Sequence, residues 1–190
     1  MRIIAGTKRA MKLLGPKTGQ SRPITDRVKE SLFSVLYKYD MPNGKAVVDL
    51  FSGVGSLGLE AASRGAEFVT FVERDPKIIA VLNRNIERAG FVKQSKVIRA
   101  DAFRIGVPAG ERKYAMVFVD PPYSATRDVG EGSLLSGLLN LLSDRLAARG
   151  IAVVRTDSRT ELLERYGRLI VIERRRWGSM AVTILQRSSR

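Results

Sequence analysis

Four acids and one proline-rich turn carry most of the chemistry this sequence offers. Asp49, Glu73, Asp101 and Asp120 each close or directly follow a short apolar run, and Asp120 opens the tetrapeptide Asp-Pro-Pro-Tyr at 120–123. The 190 residues include no histidine and no cysteine. That excludes an imidazole base, a Ser-His-Asp triad, a thiolate nucleophile, a zinc or iron–sulfur site built on thiolates, and any disulfide. Catalysis here has to come from carboxylates, hydroxyls, lysine, arginine, backbone groups or a cofactor.

The elements around the acids give them a common address. Residues 46–51, 68–73, 96–101, 114–120 and 151–156 read as strands, with near-continuous apolar stretches such as Val117-Phe118-Val119 that suit parallel strands covered on both faces. Helical patterns alternate with them. One spans 56–64 and stops at Gly65; another is capped by Asp75-Pro76, puts Ile78, Leu82, Ile86 and Ala89 on one face, and stops at Gly90; a third spans 134–148. Runs at 169–173 and 181–186, joined across Trp177-Gly178, read as a closing antiparallel pair. Before all this, Thr25 or Asp26 caps a helix with Val28, Leu32, Val35, Leu36 and Tyr39 inward. The fold class is therefore α/β and Rossmann-like: a mostly parallel seven-stranded sheet, a C-terminal antiparallel hairpin and a small basic N-terminal extension. Residues 1–42 form the arm and helix, 43–190 the main domain. Ligands of such sheets bind beyond the carboxyl ends of the strands, which is where all four acids fall.

Four carboxylates in one crevice repel a phosphate-rich ligand and attract one rich in donors or positive charge. The first turn, Asp49-Leu50-Phe51-Ser52-Gly53-Val54-Gly55-Ser56-Leu57-Gly58, satisfies G-x-G-x-x-G, and Glu73 lies 20 residues past Gly53. A nicotinamide cofactor fits that spacing, and the glycines also fit a simple tight turn with close helix packing. Asp49, four residues before the first glycine, suits an amino group better than a pyrophosphate. Glu73 can accept from both hydroxyls of a ribose, and Asp101-Ala102 from an adenine amine. S-adenosylmethionine offers all these donors together with a sulfonium cation.

The second turn supplies an acceptor site. Two prolines remove two N–H donors and stiffen the chain, so carbonyls are free to face a pocket. The Asp120 carboxylate and the Pro121 carbonyl can each accept one hydrogen of an exocyclic aromatic amine, drawing its nitrogen toward tetrahedral geometry. Tyr123 can stack on a base taken out of its helix.

The ordered set Asp49…Gly53-x-Gly55, Glu73, Asp101 and Asp120-Pro121-Pro122-Tyr123 resembles the amino-methylating S-adenosylmethionine-dependent enzymes. With Arg22-Pro23-Ile24-Thr25-Asp26-Arg27-Val28-Lys29-Glu30-Ser31-Leu32-Phe33, the opening Arg2-Ile3-Ile4-Ala5-Gly6 and Trp177-Gly178, the chain is similar over nearly its whole length to the bacterial 16S ribosomal RNA guanine-N2 methyltransferase family. Val54 and Trp177 depart from the family pattern, where a small polar residue and a tyrosine are usual. The resemblance implies a class I methyltransferase fold, S-adenosylmethionine as methyl donor, and N2 of a guanine in a small-subunit rRNA loop as acceptor, within a pre-assembled 30S subunit. On that basis Asp120, Pro121 and Tyr123 form the catalytic set. Asp49, Phe51, Gly53, Gly55, Glu73, Arg74, Asp101, Ala102 and Asp120 form the cofactor-binding set. No metal is called for.

Charge gives the partner. There are 33 lysine and arginine residues against 19 acids, a formal charge of +14, concentrated at the two ends of the chain. A polyanion such as RNA answers to that distribution. Arg2, Lys8, Arg9, Lys12, Lys17, Arg22, Arg27 and Lys29 at one end, and Arg174, Arg175 and Arg176 at the other, are the candidate phosphate contacts. Residues 124–133 read as a mobile flap. No signal peptide or membrane-length apolar run is present, so the chain is read as cytoplasmic without a membrane partner; a monomer is expected. Three other readings stand beside this one: the same chemistry on adenine N6, a magnesium-dependent phosphotransferase, and a non-catalytic RNA-binding assembly factor.

Overall fold

The computed structural model describes residues 1–15, 24–108 and 113–188. Eight strands form one sheet: β1 (Ala46–Leu50), β2 (Phe68–Glu73), β3 (Ser95–Arg99), β4 (Tyr114–Val119), β5 (Leu146–Asp157), β6 (Arg165–Tyr166), β7 (Leu169–Trp177) and β8 (Met180–Arg187). Their order across the sheet is β3-β2-β1-β4-β5-β8-β7-β6. The first five are parallel, and β8, β7 and β6 continue the sheet antiparallel. The seven expected strands are all present. The eighth, β6, is a two-residue edge pairing with the start of β7, too short to leave an alternation in the sequence.

The helices are α1 (Asp26–Tyr37), α2 (Ser56–Ser63), α3 (Pro76–Ala89), α4 (Ala102–Ile105) and α5 (Leu134–Arg145). Thr25 caps α1 by accepting from the Val28 N–H, and Asp75 caps α3 by accepting from the Lys77 N–H. Gly90 ends α3 at φ 74°, a left-handed cap that glycine adopts without a Cβ penalty. The helix expected over 134–148 stops at Arg145 instead. Residues 147–149 form an irregularity within β5, with Arg149 at φ 60°, between Leu146 opposite Tyr114 and Ile151 opposite Met116. Among the described residues no helix is long and apolar enough to cross a membrane.

The side-chain period of two sorts each strand between two cores. Val47, Met116, Phe118, Ile151 and Val153 pack with α1, α2 and α3, while Val48, Leu50, Val117, Val119 and Val154 pack with α5. The basic N-terminal segment belongs to the first core through Ile3 and Leu13, which are buried there with Val28, Leu32 and Phe33 of α1. Its two ends are tied by an antiparallel bridge between Arg2 and Lys12. The chain crosses from one edge to the middle between β3 and β4, so β1 and β4, adjacent and in parallel register (Asp49 opposite Phe118), mark the switch point of the sheet.

Candidate active site

A cleft of about 640 Å³ opens at that switch point, a volume within the ~300–1,000 Å³ range of small-molecule sites. Its walls come from the carboxyl ends of β1, β2, β4 and β5 and from the turns that follow β1, β2, β3 and β4. They include Asp49, Phe51, Gly53, Glu73, Arg74, Asp101, Ala102, Asp120, Pro121 and Tyr123 from the sequence-derived sets. Gly55 does not line it. Gly55 caps α2 at φ 90°, where an added Cβ would sit 2.6 Å from Leu82 Cδ1, so its role is to let the turn approach α3.

Each acid is held differently. Asp49 sits on the α2 side of β1 and is 2% exposed; its Oδ2 accepts the Gly58 N–H at 2.8 Å. Burial raises its carboxyl to about 8, and the nearby Asp120 and Glu73 charges act in the same direction, against the Gly58 N–H and Arg155. The Gly58 position is tight: a Cβ there would meet Phe71 Cε1 at 2.3 Å and Asp49 Oδ2 at 3.0 Å. Glu73 ends β2 and ties the two turns together. Its Oε2 accepts from the Gly53 N–H at 3.0 Å, and its Oε1 from the Arg74 and Asp75 N–H groups at 2.8 and 2.9 Å. Asp101 is both a cleft residue and the cap of α4, accepting from the Phe103 N–H at 3.0 Å. Phe51, at φ 61°, packs its ring against Phe103 with centroids 4.8 Å apart, which builds an aromatic wall beside Asp101 and Ala102.

Asp120 follows β4 directly, and Arg155 on β5 reaches it: Arg155 Nε donates to Asp120 Oδ1 at 2.6 Å. Burial raises the Asp120 carboxyl from its ordinary value, and the Arg155 charge and hydrogen bond pull it back down. Pro121 is buried, Pro122 is exposed and half-buried Tyr123 starts a short 3-10 turn through Thr126. The loop beyond is not a free flap. Thr160 Oγ1 donates to the Thr126 carbonyl, Tyr166 Oη donates to the Val129 carbonyl, and Ser133 caps α5.

Arg155 was not among the sequence-derived candidates, nor was Ser52, whose buried Oγ lies in the cleft wall with no hydrogen-bond partner among the described residues. Both had a readable signal. Arg155 breaks the apolar alternation Ile151, Val153 at a strand's carboxyl end, and Ser52 sits inside the glycine turn. An orphaned buried hydroxyl, a buried carboxylate and an aromatic wall fit a ligand that brings its own donors, its own positive charge and a flat ring, as S-adenosylmethionine does.

Of the candidate cations, half-buried Arg174 donates to the Ser158 and Thr160 carbonyls, and the other described ones separate into three groups. Lys8, Arg9, Lys12 and Arg27 are exposed. Arg2, Arg175 and Arg176 are exposed but face acids: Arg2 pairs with Asp26, Arg175 with Glu173 and Arg176 with Glu161. Lys29 is no surface cation. It is fully buried, 3.6 Å from the equally buried Glu60, and donates to the Arg2 carbonyl at 2.6 Å and to Ser56 Oγ at 3.2 Å. Glu60 in turn accepts from the Ile4 and Ala5 N–H groups and from Arg64. The candidates Lys17 and Arg22 lie outside the described residues.

Comparison with known proteins matches this geometry to a family. The family model described as Conserved hypothetical protein 95 matches residues 1–186. The protein YlbH of Bacillus subtilis (strain 168) is 35% identical over 191 residues, 98% of this chain and 99% of its own. Ribosomal RNA small subunit methyltransferase D of Escherichia coli (strain K12) is 34% identical over 163 residues, 85% of this chain and 76% of its own. The solved structure of yhhF from Escherichia coli superposes with a TM-score of 0.83 at 31% identity, covering 100% of this chain and 99% of that one. With its sheet order, its acid-rimmed cleft at the switch point and these matches along almost its full length, the chain belongs to the Conserved hypothetical protein 95 family, that of the small-subunit ribosomal RNA methyltransferase D proteins, and is a class I S-adenosylmethionine-dependent methyltransferase.

Proposed function

We propose that this protein methylates the exocyclic N2 amine of a guanine in a loop of small-subunit rRNA, with the assembled 30S particle as substrate. The observation that carries the reading is the Asp120-Pro121-Pro122-Tyr123 turn in the wall of the cleft, with Asp120 hydrogen-bonded to Arg155 and lining the same cleft as Asp49. S-adenosylmethionine supplies an electrophilic methyl group on a sulfonium sulfur. Asp49 and Glu73 hold the donor's amino group and ribose, Ser52 takes one of its polar groups, and Phe51 and Phe103 flank its ring beside Asp101 and Ala102.

An aryl amine is a weak nucleophile because its lone pair is delocalised into the ring. Asp120 and the Pro121 carbonyl each accept one amine hydrogen, which localises that lone pair and aims it into the cleft. Tyr123 stacks on the extruded base. Much of the rate then comes from positioning and from preorganised dipoles rather than from a proton-transfer base, which suits a chain without histidine. Exposed Lys8, Arg9, Lys12 and Arg27 hold the phosphates of the target loop, and Arg2, Arg175 and Arg176 exchange their acidic neighbours for phosphate on docking.

The test is a split between binding and turnover. Asp120→Ala loses methyl transfer while the dissociation constant for the cofactor stays within a few fold; Asp49→Ala weakens the cofactor itself. If Asp120→Ala retains turnover, the acceptor-site assignment is wrong, and if metal chelation abolishes transfer, a metal-dependent reaction replaces this one.

A further inference from the structure

Ile151, Val153 and Arg155 alternate onto the face of the sheet that also carries Asp49. The first two fill the core against α1 and α2. The third replaces an apolar side chain with a guanidinium at the point where the strand leaves the core for the cleft, and only 14% of its side chain is exposed. A cation taken out of water at that position costs free energy unless a partner repays it. One partner is Asp120, 35 residues away in sequence and one strand away in space, at 2.6 Å from Nε.

We propose that Arg155 is a positioning residue of the acceptor site, which fixes the Asp120 carboxylate through Oδ1, keeps it ionised, and so leaves Oδ2 directed at the target amine. The inference rests on Asp120 as the amine acceptor and adds a residue that the family resemblance did not supply. A neutral carboxylic acid carries a proton on one oxygen and donates where the amine needs an acceptor. Burial favours that neutral form, and Arg155 opposes it. Among the described residues the other titratable groups of the cleft are Asp49 on β1, Glu73 at the end of β2, Arg74, Asp75 and Asp101 at the rim, and Tyr123 on the same turn as Asp120. Arg155 is the charge within hydrogen-bond reach. Arginine suits the role better than lysine because its planar fork stays charged at all working pH values and holds a carboxylate in one orientation.

Arg155→Met, Arg155→Gln and Arg155→Lys separate charge, hydrogen bonding and shape. Two readouts are needed: the pH profile of kcat for methyl transfer to 30S particles lacking the modification, and the carboxyl 13C titration of Asp120, assigned by the signal that Asp120→Asn removes. Losing the guanidinium removes a lowering influence, so the acid limb of kcat and the Asp120 titration both move to higher pH, by about one unit or more. Below both limbs each unit of displacement slows the Met and Gln variants about tenfold relative to the parent, and they recover the loss as the pH rises through the displaced limb. Arg155→Lys restores part of both, and the cofactor dissociation constant stays within about threefold. A variant that merely loosened the fold would lower kcat at every pH alike. Unmoved limbs and an unmoved 13C titration in Arg155→Met or Arg155→Gln overturn the proposal. If the parent protein transfers no methyl to guanine N2, the functional reading falls, and the 13C titration alone still decides whether Arg155 governs Asp120.

Discussion

Replacing Lys29 by methionine removes a cation from a site that water cannot reach. Lys29 Nζ and the Glu60 carboxylate are both fully buried, and the Lys29 ammonium also holds the Arg2 carbonyl and Ser56 at the start of α2. Breaking one side of a buried ion pair costs about 3–5 kcal/mol, because the remaining charge is left in low dielectric. Glu60 keeps Arg64 at 2.7 Å and the Ile4 and Ala5 N–H groups, which places the loss at the lower end, about 3 kcal/mol. In a chain of this length that lowers the melting temperature by about 6–12 °C. Urea unfolding followed by circular dichroism reads the change directly. The double variant Lys29→Met/Glu60→Leu tests the structural reasoning further. A simple ion pair replaced by apolar groups would return toward parental stability, whereas here the Ile4 and Ala5 N–H groups lose their acceptor and stability stays low. A single-variant loss below about 1 kcal/mol, or a double variant as stable as the parent, would refute the role of Glu60 as the anchor of the N-terminal segment.

Three further outcomes follow from the same geometry. The buried Asp49 carboxyl titrates near 8 in the folded chain and near 4 when unfolded; its contribution is full below pH 4 and fades as pH rises through 8, at up to about 1.4 kcal/mol per pH unit, so the cofactor-free protein melts lower at pH 8 than at pH 6 and Asp49→Asn flattens that slope. Gly58→Ala gains helix propensity but drives a methyl to 2.3 Å from the Phe71 ring, an overpacking cost of about 1–3 kcal/mol that also shifts Asp49, so urea stability and cofactor affinity fall together. Neutralising Lys8, Arg9 and Lys12 weakens 30S binding and lowers its dependence on log salt by about one for each phosphate no longer neutralised, with cofactor affinity unchanged in a calorimetric titration.

The acids were legible because a strand's period of two and the rule of the carboxyl edge act on local sequence alone: an apolar run ending in Asp49 or Glu73 says where that carboxylate lies. Asp75-Pro76 and Gly90 bounded α3 for the same reason, since caps are local chemistry. Lys29 was not legible as a core residue. A lysine between helical positions reads as solvent-facing, although it shares i, i+4, i+7 spacing with Phe33 and Leu36, and only Glu60 arriving from α2 makes its burial tolerable. The end of α5 was hidden because Ala147 and Ala148 suit a helix, and pairing of β5 with β4 overrides that preference. The pairing of Arg155 with Asp120 was hidden because the two lie 35 residues apart, on neighbouring strands, and nothing local joins them. Gly55 has the spacing of a ligand-binding glycine, but its constraint comes from Leu82 across the turn.

The central claim is that the cleft presents an aryl amine to a sulfonium-borne methyl group with Asp120 as its acceptor. Incubating the protein with isotope-labelled S-adenosylmethionine and 30S particles lacking the modification, then digesting the rRNA and identifying the labelled nucleoside by mass spectrometry, tests it most directly. The expected result is labelled N2-methylguanosine from the parent protein and none from Asp120→Ala. Labelled N6-methyladenosine as the only product, or an Asp120→Ala variant that labels guanosine at the parental rate, would contradict it.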